Sequence, residues 1–91
     1  MSITVNIPTI LRPLTQNQRR VDSAGSTVSE LIDCLEQQYA GFKAKLLSDD
    51  QQVHRFINIY VNDNDIRFSE GLDTALRDGD SVTILPSVAG G

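Results

Sequence analysis

In these 91 residues, only Thr27 to Tyr39 carries a long helical apolar pattern. Val28, Leu31, Ile32, Leu35 and Tyr39 recur at helical spacing and make one stripe. Thr27 followed by Glu30 is a capping-box start. Glu30, Asp33 and Glu36 lie largely off the stripe, and the early acidic residues suit the positive end of the helix dipole. Gly41 is the expected stop. One amphipathic helix can cover one face of one sheet, which points to an α+β layer arrangement. A chain this short forms one domain and buries only about 60–70% of its unfolded surface. It has room for a modest core, but not for an enclosed catalytic cavity as well.

The remaining apolar residues fall in short alternating runs. Ile3, Val5 and Ile7 share one face of an expected strand over Ser2 to Ile7. Pro8 and Pro13 bracket an expected loop, and Arg19 to Ser23 forms a second strand with Val21 inward, paired to the first as a hairpin. After the main helix, Phe42 to Leu47 reads as a short helical turn and Ser48 to Val53 as a polar loop. Arg55 to Val61 is a third strand, with Ile57, Ile59 and Val61 on one face and Phe56, Asn58 and Tyr60 on the other. Asn62 to Asp65 is a turn and Ile66 to Phe68 a fourth strand. Gly71 to Arg77 suggests a turn of helix carrying Leu72 and Leu76. Asp78-Gly79-Asp80 is a further turn, and Ser81 to Leu85 is the last strand, with Val82 and Ile84 inward. No second long helix exists to cover the other sheet face, which is expected to stay open to a partner.

Charge and composition exclude several classes. Hydrophobic residues are 40% of the chain and charged residues 22%, ordinary for a globular protein, and no apolar run is long enough to span a membrane. MSITVNIP has no secretory pattern, so a cytoplasmic location is expected. A net charge of −4 argues against nucleic acid as the main partner, and Arg19-Arg20 reads as a solvated strand edge. The acidic balance suits solubility and docking to a basic surface. Cys34 has no base, cation or helix N-terminus in its segment to activate it and reads as a small buried or half-buried residue. His54 has no Cys or His partner at metal spacing and no paired nucleophile. Asp63, Asp65, Asp73, Asp78 and Asp80 fit turn chemistry, and the spacing does not match a calcium loop. No catalytic constellation and no bound cofactor or metal is expected.

The C-terminal stretch SVTILPSVAGG therefore carries the functional reading. A core strand feeds directly into an uncharged tail ending in Gly90-Gly91. Glycine has no Cβ, so such a tail can thread a narrow channel and present an unencumbered carboxylate to another protein's active site. That carboxylate is a poor electrophile, and coupling to ATP as an acyl-adenylate would activate it for attack by sulfur or an amine. The expected division is a domain over residues 1–86 and a flexible tail over 87–91.

The whole pattern, and most specifically VNDNDIRFSEGLDTALRDGDSVTILPSVAGG, resembles the ubiquitin-like β-grasp sulfur carriers. These include the small subunit of molybdopterin synthase and the carrier of thiazole synthesis. SITVNIPTILRP and HRFINIYVND further resemble the branch serving cysteine biosynthesis in actinobacteria. The resemblance implies a mixed sheet of about five strands with one main helix on one face. It implies a protein cosubstrate rather than an enzyme, with ATP used by an activating partner and sulfur installed on Gly91 as a thiocarboxylate. Val88, Ala89, Gly90 and Gly91 would enter partner active sites, and Tyr60, Phe68 and Leu85 are candidates for an exposed partner surface. The implied partners are the adenylating, sulfur-transferring enzyme and a cysteine synthase-type acceptor, or the large subunit of molybdopterin synthase. A ubiquitin-like modifier of lysines uses the same ending and stays open, as does a permanent subunit.

Overall fold

The computed structural model describes residues 2–86. Five strands form one mixed sheet in the order β2-β1-β5-β3-β4. They are β1 (Ile3–Asn6), β2 (Arg20–Ser23), β3 (Ile57–Val61), β4 (Asn64–Asp65) and β5 (Ser81–Pro86). β1 and β2 pair antiparallel, with Val5 opposite Val21. β1 and β5 pair in parallel, with Val5 opposite Val82. β5 pairs antiparallel with β3, Ile84 opposite Ile59, and β3 pairs antiparallel with β4. This is the ubiquitin-like β-grasp arrangement.

Alternation along each strand sends one set of side chains inward. Ile3 and Val5 of β1, Val21 of β2, Ile57, Ile59 and Val61 of β3, and Val82 and Ile84 of β5 are all buried. Helix α1 (Val28–Gln38) lays Val28, Leu31, Ile32 and Leu35 onto that layer. Helix α2 (Phe42–Leu46) adds Phe42 and Leu46. Among the described residues, no helix is long and apolar enough to cross a membrane.

The α1 start follows the capping pattern. Thr27 Oγ1 accepts from the Glu30 backbone N–H at 3.2 Å. Glu30 Oε1 reaches back to the Ser26 N–H at 3.1 Å, one residue before the cap itself. The other end departs from expectation. α1 stops at Gln38, and Tyr39 is extended. Gly41, with φ +93°, begins α2 rather than ending α1. The side chain that allows this is Glu36, whose carboxylate accepts the Gly41 N–H at 3.1 Å and the Lys43 N–H at 2.8 Å. It therefore supplies the unpaired N–H groups of α2 with acceptors from the preceding helix. These two backbone bonds, Lys43's first, hold the Glu36 carboxyl below its ordinary pKa.

Three other segments are corrected. The stretch between Pro8 and Pro13 is no open loop: Thr9–Thr15 is a 3-10 helix with Leu11 and Thr15 buried. Leu11 and Leu14 are three residues apart, and the 3-10 repeat puts them on one side, against the core. Ile66–Phe68 is also a 3-10 helix and not a strand. The pairing strand is Asn64–Asp65, because Asn62 and Asp63 both take positive φ (49° and 74°) and close a two-residue hairpin. Asp65 then accepts the Arg67 N–H at 2.9 Å and turns the chain out of the sheet. Only Gly71–Asp73 of the expected Gly71 to Arg77 turn is helical, again 3-10, while Leu76 is buried beyond it. Strand ends also differ: β1 is one residue shorter at each end, β2 starts at Arg20, β3 starts at Ile57, with Arg55 and Phe56 in the turn before it, and β5 runs one residue further, to Pro86.

Gly25 sits where the chain passes from β2 into α1. A Cβ there would lie 2.6 Å from Leu31 N and 2.9 Å from Leu31 Cα. Because the obstacle is helix backbone, Gly25→Ala is expected to cost about 1–3 kcal/mol of overpacking, read as a lower midpoint in urea. A second expectation concerns pH. A carboxylate whose pKa is lowered by folding contributes stability above its unfolded pKa, about 4.3, and loses that contribution as pH falls through the lowered folded value. The Tm gap between native protein and Glu36→Gln should be full at neutral pH and narrow progressively below about pH 4. Melting curves across that range check it.

Candidate functional site

β5 lies at the centre of the sheet, between β1 and β3. Val82 and Ile84 anchor it in the core, while Leu85 and Pro86 are exposed. Pro86 stands opposite Ile57, the first residue of β3. β1 pairs with β5 only as far as Thr83, so the edge of the sheet from which the chain runs on toward residue 87 is set by β3 alone. The tail residues named from the sequence, Val88, Ala89, Gly90 and Gly91, lie outside the described residues.

The sheet face opposite the helices has no described element over it. Its centre is polar: Asn6 Nδ2 donates to Ser81 Oγ at 3.2 Å and to Thr83 Oγ1 at 3.0 Å. Around that centre lie the apolar side chains. Tyr60 is half-buried and opposes Thr83. Leu85, two residues on from Thr83, is 45% exposed and therefore Tyr60's diagonal neighbour on the same face. Phe68 is 86% exposed and lines a shallow depression with Tyr60 beside β4. The structure therefore places all three nominated surface residues at this face, Tyr60 linking the other two. Arg67 stacks near the Phe68 ring, 6.0 Å from its centroid, and forks onto the Asp65 carboxylate at 2.8 Å.

Two exposed apolar residues belong with this set and were not singled out from sequence. Ile10, 62% exposed, is carried by the 3-10 helix after β1 and shares a groove of about 510 Å³ with Leu85 and Pro86. Phe56, 52% exposed, precedes β3 at the same edge. Ile10 looked like part of a Pro-bounded loop, and only its 3-10 setting separates it from buried Leu11. Its signal was an apolar residue placed out of the three-residue repeat that buries Leu11 and Leu14.

The side chains weighed for catalysis have structural positions. Cys34 is half-buried, with Sγ 3.8 Å from Gln38 Oε1. His54 is half-buried, and its backbone N–H donates to Leu46 O at 2.9 Å. Asp78 Oδ1 accepts the Ser2 N–H at 2.7 Å. Asp80 accepts the Arg77 N–H at 2.8 Å and Asn62 Nδ2 at 2.9 Å, bonds that lower its pKa, Arg77's first. The Asp65 carboxyl is also held down, chiefly by its side-chain bonds to Arg67. Asp63 occupies the left-handed hairpin turn, and Asp73 ends a 3-10 helix. No group of three or more His, Cys, Asp or Glu among the described residues is placed to hold a metal ion.

Comparison with known proteins agrees with this geometry. The ThiS family model matches residues 5–91. The sulfur carrier protein CysO of Mycobacterium tuberculosis is 56% identical over 93 residues, with 100% of both chains covered. CysO in the Amycolatopsis orientalis BexX/CysO complex superposes with a TM-score of 0.91 at 54% identity, covering 98% of this chain and 99% of that one. The small archaeal modifier protein 1 of Methanosarcina acetivorans superposes with a TM-score of 0.84 at 29% identity, covering 99% and 96%. Matched along nearly its whole length by the family model and more than half identical to a full-length sulfur carrier of the same fold, the chain belongs to the ThiS family of ubiquitin-like β-grasp sulfur carriers.

Proposed function

We propose that this carrier holds sulfur as a thiocarboxylate on Gly91 and delivers it for cysteine biosynthesis. The observation that carries the reading is full-length identity of 56% to a CysO sulfur carrier, together with a Gly90-Gly91 ending that follows a core strand. An activating enzyme would couple the Gly91 carboxylate to ATP, forming the acyl-adenylate and releasing pyrophosphate. A sulfur donor would then displace AMP and leave the C–S bond of the thiocarboxylate. A cysteine synthase-type enzyme would take the sulfur in the cytoplasm. The catalytic groups would belong to those partners, and the chain would bind no cofactor of its own.

In this reading residues 1–86 are the handle and 87–91 the reach. Val88, Ala89 and Gly90 would enter the partner's channel, small enough to let it close around Gly91. Tyr60, Phe68 and Leu85 would meet the partner's surface, since apolar patches of this kind mark interfaces. A complex of a CysO with a second protein, BexX, is known for the Amycolatopsis orientalis relative, which supports a carrier that works by docking.

A second reading, a modifier joined to lysines, is favoured by the likeness to the Methanosarcina acetivorans modifier. The small sulfur-carrying subunit of molybdopterin synthase is its counterpart among permanent complexes. The deciding experiment incubates the protein with its activating enzyme, ATP and a sulfur donor and takes the intact mass. Exchange of one oxygen for one sulfur at Gly91 is the expected result, and no exchange with any cognate activator would sink the carrier reading. Gly91→Ala is expected to melt within about 1 °C of the native chain while loading at least tenfold more slowly, because the reacting residue must fit the partner's active site. High-mass adducts dominating cell lysates, and lost on deleting Gly90-Gly91, would favour the modifier instead.

A further inference from the structure

The chain has eight basic and twelve acidic residues, and the fold does not mix them evenly along the strand direction. Arg19 and Arg20 open β2, and the Arg19 carbonyl accepts the Ile7 N–H at 2.7 Å just past the end of β1. Arg12 comes from the 3-10 helix, and its Nε donates to Ile7 O at 3.2 Å. Arg55 lies in the turn that feeds Ile57, the residue opposite Pro86. Four of the eight basic residues therefore lie toward the end of the sheet where β5 ends, Arg12, Arg19 and Arg20 in one groove and Arg55 in a separate depression with Asp65 and Arg67. The groove holding Ile10, Leu85 and Pro86 is lined by Arg12, Arg19 and Arg20 and by no acidic residue. At the opposite edge, Asp63 sits in the hairpin turn after β3, and Asp78 and Asp80 lie in the turn before β5.

This arrangement does nothing evident for stability. Like charges brought together repel, and among the described residues the ion pairs are Lys43–Asp33 and Arg67–Asp65, neither of which involves these arginines. Arg19, Arg20 and Arg55 are exposed. The residue type is also selective. All four are arginine, while both lysines, Lys43 and Lys45, lie on α2. A guanidinium forks onto carboxylates and stays protonated. A lysine amine beside an activated acyl group would compete with sulfur for it, and arginine does not.

We propose that Arg12, Arg19 and Arg20 form a docking pole for an acidic rim around the active site of the activating enzyme, an inference that rests on the adenylation reading above. Opposed potentials raise the encounter rate and fix orientation before close contact, with the acidic turns held at the far end. Ile10, Leu85 and Pro86 would then pack inside the charged ring.

The test measures thiocarboxylate formation by the activating enzyme as a function of carrier concentration and salt. Arg19→Glu/Arg20→Glu is expected to raise KM about tenfold at about 0.05 M salt, with kcat within about twofold. The difference should collapse toward about 0.5 M salt, where charges are screened within a few ångströms. Arg19→Lys/Arg20→Lys should stay within about threefold of the native KM, since the charge remains. Arg77→Glu, in the turn before β5 at the opposite edge, makes the same change in net charge as either single arginine substitution and should stay within about twofold. An unchanged KM for the first variant, or an equal rise for the last, overturns the docking pole while leaving the carrier function intact. Failure of the native protein to load at all overturns the adenylation reading and the pole with it.

Discussion

The pairing on which everything else depends is the parallel contact between β1 and β5. It joins Thr4, Val5 and Asn6 to Ser81, Val82 and Thr83, nearly the full length of the chain apart. Without β5 the sheet falls into two hairpins, β1-β2 and β3-β4, and an isolated hairpin is marginal in water. β5 bonds to both and completes the surface on which α1 can bury Leu31, Ile32 and Leu35. The loop that must close is almost the longest available, although closure entropy grows only slowly with length. The strand that holds the fold together is also the strand that ends in the functional edge. Its direction is set by β1 and β3 together as far as Thr83, and by β3 alone from there to Pro86.

One long helix for one sheet leaves two unlike faces. The helix side is dry and continuous. The open side could have been a liability, since an uncovered apolar sheet associates with whatever it meets. Its centre is instead polar, with the Asn6 side-chain amide of β1 donating to both Ser81 and Thr83 of β5. Apolar residues are kept to the margins, at Phe68, Leu85 and Ile10. Small apolar contacts within a polar field favour transient over permanent association.

What could be read from the sequence depended on periodicity. Every inward strand residue named from alternation, from Ile3 to Ile84, is buried, and the Thr27–Glu30 cap has the expected bond. The misreadings share a cause. Thr9–Thr15, Ile66–Phe68 and Gly71–Asp73 are 3-10 segments with at most one three-residue repeat, and their apolar residues look like strand or loop fragments. The displaced β4 follows from two consecutive left-handed residues, Asn62 and Asp63, which tighten a turn that composition alone leaves four residues long. Gly41 was read as a stop because the Glu36 side chain that lets a new helix begin there acts through space and carries no motif.

Charge placement was the least legible feature, and for a topological reason. Arg12, Arg19, Arg20 and Arg55 occupy three separate parts of the chain, and only Arg19-Arg20 looks like a pair. Each taken singly is an ordinary solvated arginine. They converge because β1 and β5 run the same way while β2 and β3 run against them, so the end of β1 and the starts of β2 and β3 share one edge with the end of β5. The same reversal sends the aspartate-rich turns to the other edge. A net charge of −4 hides this, since a sum carries no direction. The field felt by an approaching protein depends on separation along the strands, and strand order converts scattered residues into that field.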